Sequence, residues 1–420
     1  MGDPETIAPQ LPPLAWGTWP FTTPEIDAAV RRVLHSGRWA ISGMKGQAPS
    51  EEKRFAAEFA DYLGVGAVAP TANGSSALVA ALSACGVSYG DEVLVPGLAW
   101  VACASAVVRV GAVPVFVDID PETFAMDPRA AAALIGPRVT AVLVTHLSSS
   151  IADLDEFEQL CERHGIVMIE DCSQAHGAVW RGRRVGAHGR AAAFSFQSSK
   201  LLTSGEGGAA VTRDPSLSDG LQQLRADGRV WSDEGVDEGF PDLVPGRGWQ
   251  GHNHCLTEIQ AAILRVALPM LDAQNEVRVQ RVEHLESALD EVEGVRTVRR
   301  RDDPRVDRET FWHLPIQIDA DAFGGASAEV VRSELSRLVG LFLEPVGAPM
   351  PQHRLYRPGL YRRFPAEHVE RLVQPAGDLR GAEHLAATCF TLPHHALLVD
   401  PSVLDRFVER LSLLQTALRR

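Results

Sequence analysis

The chain has 420 residues, 45% of them hydrophobic and 22% charged, enough for a large core and more in keeping with two domains than one. Its 54 acidic against 40 basic side chains leave a formal charge of −14, and no Lys/Arg run stands out as a phosphate-tracking stripe, which argues against nucleic acid and anionic membrane surfaces as partners. The opening MGDPETIAPQLPPLAW lacks a targeting peptide's basic and apolar regions, no apolar run reaches roughly 18–20 residues, and the six cysteines stand singly, so the expectation is a cytoplasmic chain with reduced thiols and neither membrane span nor metal site.

From Thr23 to Leu63 the pattern is helical, broken at Ser36-Gly37 and by a loop at Ser42-Gly43-Met44-Lys45-Gly46. Short apolar runs then alternate with helical segments. The runs Glu92 to Val95, Val113 to Val117, Ala141 to Thr145 and Val167 to Ile169 read as strands, and Ser75 to Ala84 and Leu154 to His164 as helices. Such βαβ repeats need crossover helices, so the fold class is α/β with a mainly parallel central sheet buried on both faces. A long helical stretch from about Leu256 to Glu293, interrupted near Pro269, bridges to a smaller α+β domain. That domain contains strands at Val295 to Val298, Phe311 to Ile318 and Leu341 to Leu343, with helices at Ser327 to Leu338 and Ser402 to Leu418. The expected division is 1–265, a large cofactor-binding domain with an N-terminal arm, and 266–420, a small domain that includes the bridging helix.

The residues with the most chemistry lie between Val167 and Thr212. VMIEDCSQAHGAVW places Asp171 at the C-terminal end of a buried strand, where open α/β sheets bind ligands. In FSFQSSKLLTSGEGGAAVT, Lys200 is held between a strand end and a glycine-rich turn. Such a lysine is, taken alone, usually a solvated surface residue. Upstream, TANGSS gathers amides and hydroxyls at a helix N-terminus, a ready phosphate site, although a plain turn and N-cap is the commoner use of those residues. Lys200 as an amine for an aldehyde, Asp171 as a partner for a pyridinium nitrogen, Gly74, Ser75 and Ser195 as a phosphate cradle and Trp100 as an aromatic plate together meet the needs of pyridoxal 5′-phosphate (PLP). The histidines His146, His176, His394 and His395 fit no compact metal-ligand spacing, and His176, near Gln174, is expected to border the pocket.

The blocks TANGSSAL, GDEVLVPGLAWVACASAV, GAVPVFVDIDPETFAMDP, ADLDEF, IEDCSQAHGA, VGAHG, FSFQSSKLLTSGEGGAAVT and GHNHCLTEIQAAIL resemble, in order, the DegT/DnrJ/EryC1/StrS family of fold-type I PLP-dependent aminotransferases, over roughly residues 15 to 270. SGRWAISG, PGLAWVA, EDCSQAHGA, LRADGR and NHCLTE are most similar to its aminocyclitol branch, which uses L-glutamine and scyllo-inosose. The resemblance implies that Lys200 carries PLP as a Schiff base, that Asp171 faces the pyridine nitrogen and Gln174 the phenolic oxygen, and that Trp100 stacks on the ring. It also places Gly74, Ser75 and Ser195 on the phosphate, and Asn253 on the phosphate of a neighbouring subunit, hence a homodimer with shared sites.

The implied reaction is ping-pong transfer from an amino acid, L-glutamine, to a keto-cyclitol or keto-sugar. Two alternatives use the same residues: a lyase of the 3-amino-5-hydroxybenzoate synthase type, and a non-catalytic PLP-binding partner subunit. The chain departs from many family members at Cys255, where arginine is common, and at Ser148-Ser149, where Tyr-Gly is common.

Overall fold

The computed structural model describes residues 11–43, 49–232, 241–373 and 378–420, so Met44 to Gly46 of the expected loop lie outside the described residues. The first helical pattern resolves into two helices. Thr23 caps Pro24–Ser36 by accepting from the Ile26 amide, and Gly37 ends that helix in the left-handed conformation; Ser50 and Gly64 do the same for Glu51–Leu63.

The central sheet has seven strands in the order Ala67–Thr71, Gly208–Thr212, Ala191–Ser195, Val167–Asp171, Val139–Thr145, Glu92–Pro96, Val113–Val117. All run parallel except Gly208–Thr212, which is antiparallel to both neighbours. The strands are Ala- and Val-rich and almost wholly buried, because helices such as Gly74–Ala84, Ala102–Arg109 and Leu154–His164 cover the sheet. Strand ends therefore converge on one edge of the layer, and the loops leaving them build the site.

The bridging stretch is helical at Glu258–Ala267 and Leu271–Leu289, with a single 3₁₀ turn, Leu268–Met270, at Pro269, whose missing N–H breaks the regular ladder. Beyond it, an antiparallel sheet pairs Val295–Thr297, His313–Ile318, Cys389–Pro393 and Glu344–Pro345 in that order. The helices Ala328–Val339 and Pro401–Leu418 help enclose a second core that includes Leu314, Leu335, Phe390 and Phe407. Leu14 joins this second core, and its amide donates to Val339 O at 3.0 Å. The strand expected at Leu341 to Leu343 sits instead at Glu344–Pro345: Leu343 is buried as core, but only the next two residues pair with the neighbouring strand. Among the described residues no helix is long and apolar enough to cross a membrane.

Candidate active site

Three chain segments meet at the strand ends. The turn after Ala67–Thr71 starts the helix Gly74–Ala84, with Asn73 as cap accepting from the Ser76 amide at 2.8 Å. A Cβ on Gly74 would stand 2.7 Å from Ser195 Cβ, and one on Gly208 would stand 2.6 Å from Asn73 O, so glycine is needed at both positions for the three segments to touch. The amides of Gly74 and Ser75, the first two of the helix, have no intrahelical acceptor and point out of its N-terminus beside the Ser195 hydroxyl. Gly74 and Ser75 thus lie beside Ser195 at a helix N-terminus, an arrangement of donors that suits an anion.

Asp171 ends its strand and is buried; its Oδ1 accepts from the Ser173 amide at 3.0 Å and its Oδ2 from the Cys103 thiol at 3.2 Å. Lys200 follows the strand Ala191–Ser195, and its Nζ lies 3.7 Å from the centroid of the Trp312 ring. Burial pushes the Lys200 ammonium down to about 8, against the opposing charges of Asp171 and Glu344. A lysine in that range keeps a substantial neutral fraction near neutral pH, as a nucleophile or a proton acceptor requires.

The lysine loop is fixed from behind. Ser199 O accepts from Trp312 Nε1 at 2.6 Å and from His394 Nε2 at 3.1 Å. His394 Nδ1 lies 3.2 Å from a nitrogen of Arg278, and a guanidinium only donates, so Nδ1 accepts and the Nε2 proton faces Ser199.

Gln174 Oε1 accepts from the Ser148 amide at 2.6 Å, which leaves the Gln174 NH2 group free to donate elsewhere. Gln174 and Ser148 line a cavity of about 270 Å³ together with Trp100, Trp312, Glu344 and His353. Trp100 is 58% exposed, and its ring meets His353 edge-on at 5.9 Å. Ser148 adopts a left-handed backbone, φ 58°, so the chain bends sharply where it departs from the family pattern.

Not every expected residue joins this group. His176 is not among the residues that line this cavity: it is buried between Phe194 and Phe196, with ring centroids at 5.5 and 5.9 Å, Asn275 Nδ2 bonds its carbonyl, and burial together with the nearby Lys200 charge pushes its imidazole down to about 3. Asn253 is exposed on the single chain and contacts the Cys255 amide, while Cys255 Sγ lies 3.7 Å from Arg225 O.

Glu170 points away from Asp171 into a buried knot. It accepts from the amides of Gly186 at 2.8 Å, His188 at 2.8 Å and Gly189 at 2.6 Å, and lies 3.2 Å from His146 Nε2. His146, Glu170 and Cys172 have ligand atoms within 4.8 Å of one another, closer than their spacing in sequence suggests, but the Glu170 oxygens and both His146 nitrogens already have partners. Burial by itself would raise the Glu170 carboxyl; the hydrogen bond of His146, nearby His188 and the Gly186 amide outweigh it and bring it down to about 2. An unfolded glutamate titrates near 4.3, so this stabilisation is complete above that pH and lost as pH falls toward 2. Glu170→Gln is therefore expected to flatten the acid-unfolding curve between about pH 5 and pH 2 and to lower stability at neutral pH. An unchanged acid slope in circular dichroism titrations would remove the assignment.

Several site residues were missed in the sequence. Cys103 stands three positions after Trp100, one helical turn on, which could have placed it beside the same pocket. Trp312, Glu344, His353 and Arg278 come from the far half of the chain and reach the site only through tertiary packing.

The DegT/DnrJ/EryC1/StrS aminotransferase family model matches residues 20–411. The chain is 44% identical over 389 residues, 92% of this chain and 91% of the relative, to an L-glutamine:2-deoxy-scyllo-inosose aminotransferase of Streptoalloteichus tenebrarius. It is likewise 44% identical over 392 residues, 92% and 91% of the two chains, to the protein of the same name from Streptomyces fradiae. Among solved structures, 3-amino-5-hydroxybenzoic acid synthase superposes with a TM-score of 0.80 at 27% identity, over 97% of this chain and 99% of that one.

Proposed function

The chain belongs to the DegT/DnrJ/EryC1/StrS aminotransferase family, and from that premise we propose that it transfers the amino group of L-glutamine to the ketone of a cyclitol, with PLP held on Lys200. The observation that carries the cofactor assignment is the close approach of Gly74 to Ser195: a cradle that any side chain at Gly74 would fill, beside free helix amides. It suits a phosphate dianion, and the buried Asp171 suits a protonated ring nitrogen. The donor and acceptor follow from the relatives' names, which also favour amino transfer over the lyase and partner-subunit readings.

When bound, PLP supplies an aldehyde that condenses with amines and a pyridinium ring that takes up the electron pair left when the donor's Cα–H bond breaks. The protein does the rest. The Gly74 and Ser75 amides and the Ser195 hydroxyl hold the phosphate. Asp171 keeps a proton on the ring nitrogen, and the Cys103 thiol holds the carboxylate in place. The free Gln174 NH2 donates toward the phenolic oxygen, and Trp100 covers one face of the ring. Neutral Lys200 Nζ takes the proton from the donor Cα; in the second half-reaction it gives a proton back, now to the carbon of the acceptor. Asn253, exposed on one chain, serves the phosphate of a second copy, so the active unit is a homodimer.

The test follows the visible spectrum of the PLP-loaded protein while L-glutamine and then 2-deoxy-scyllo-inosose are added, with the mass of the active species measured alongside. The expected result is loss of the lysine-bound band with glutamine and its return with the ketone. A band that no amino donor discharges would sink the proposal.

A further inference from the structure

Glu344 lies on the edge strand of the second sheet and faces the cavity that also holds Trp100 and Gln174. Its backbone is fixed by pairing with Thr391, whose Oγ1 donates to Glu344 O at 3.3 Å. Its side chain is not similarly engaged. Among the described residues the carboxylate makes no hydrogen bond, and the basic group within ion-pair reach is His313 Nε2 at 3.9 Å. Burial pushes His313 down to about 3, so that imidazole is neutral and offers no counter-charge. Among the described residues no arginine lines the cavity, and Ser148, Gln174 and Thr391 on its wall are neutral; the cation whose charge reaches Glu344 is Lys200, the residue proposed to be taken up by the cofactor. A carboxylate on the cavity wall with both oxygens free of protein donors is open to a ligand that supplies donors. Adjacent hydroxyls on a ring present two O–H donors at a spacing that matches two carboxylate oxygens, whereas a phosphate or carboxylate on the ring would meet like charge there.

We propose that Glu344 is the residue that recognises the amino acceptor, binding neighbouring hydroxyls of a neutral polyhydroxylated ring and rejecting anionic ones. This rests on the aminotransfer reading above. It assigns specificity to a residue of the far half of the chain and gives the cavity a directional contact opposite in sign to the phosphate cradle.

The test is calorimetric binding of scyllo-inositol, the same type of ring without a ketone, to the PLP-loaded wild type, Glu344→Gln and Glu344→Asp. Glu344→Gln is expected to weaken binding by roughly tenfold or more, as loss of charge-assisted hydrogen bonds does, and Glu344→Asp to recover part of it. In rapid mixing, Glu344→Gln is expected to slow the acceptor half-reaction at least about tenfold more than the glutamine half-reaction. Wild type that fails to bind scyllo-inositol, binding that Glu344→Gln leaves within twofold, or equal losses in both half-reactions would each overturn the assignment. If the wild type aminates no keto-cyclitol but its scyllo-inositol binding still depends on Glu344, the aminotransfer reading falls and the hydroxyl-binding role stands.

Discussion

Lys200→Ala is expected to lower amino transfer by at least about 10⁴-fold, because in the proposed mechanism one side chain both holds the cofactor and moves the proton, and positioned proton transfer is by itself worth about 10²–10⁴-fold. Borohydride reduction of the wild type should fix the cofactor on the peptide that contains Lys200, and mass spectrometry of the variant should find none. The wild type carries a further signature. Burial brings the Lys200 ammonium to about 8, so capture of PLP by the cofactor-free protein should be slow below that pH, rise through it as the amine is deprotonated, and level off above it. A capture rate that is flat from pH 6.5 to 9.5 would contradict the environment described for this lysine.

Asp171→Asn is expected to slow the glutamine half-reaction by roughly 10³-fold, since a neutral amide no longer holds a proton on the ring nitrogen. The same change removes the acceptor of the Cys103 thiol and one of the negative charges that raise Lys200. The pH profile of PLP capture should therefore move to lower pH, which a purely structural loss would not produce. Stopped-flow absorbance gives both quantities. A half-reaction within tenfold of the wild type would mean that Asp171 does not face the reacting ring.

Local pattern carried much of the fold. The strands Val113–Val117 and Val167–Asp171 and the helix Leu154–His164 are legible because apolar runs, caps and glycine stops sit beside one another in the chain. The antiparallel placement of Gly208–Thr212 is not, because GAAVT reads the same in either direction and only the tight return through the glycine-rich turn sets its sense. The same distinction explains His176. Its two-residue separation from Gln174 suggested a shared pocket, but the turn after Cys172 rotates the imidazole between two phenylalanines.

The candidate site divides along the same line. Lys200, Asp171, Ser195, Gly74, Ser75 and Trp100 were singled out from their places near strand ends and helix starts, and Gln174 from the family resemblance. What the sequence by itself determined is therefore the α/β class, the family and the chemistry available at the strand ends. Only the tertiary structure decided which distant groups act on them: Cys103 on Asp171, Trp312 over Lys200, Arg278 and His394 behind Ser199, and Glu344 on the cavity wall. The physical reason is that burial, charge and hydrogen bonding act through space, so a lysine's proton affinity or a carboxylate's unspent acceptors follow from neighbours far along the chain, such as Glu344 acting on Lys200.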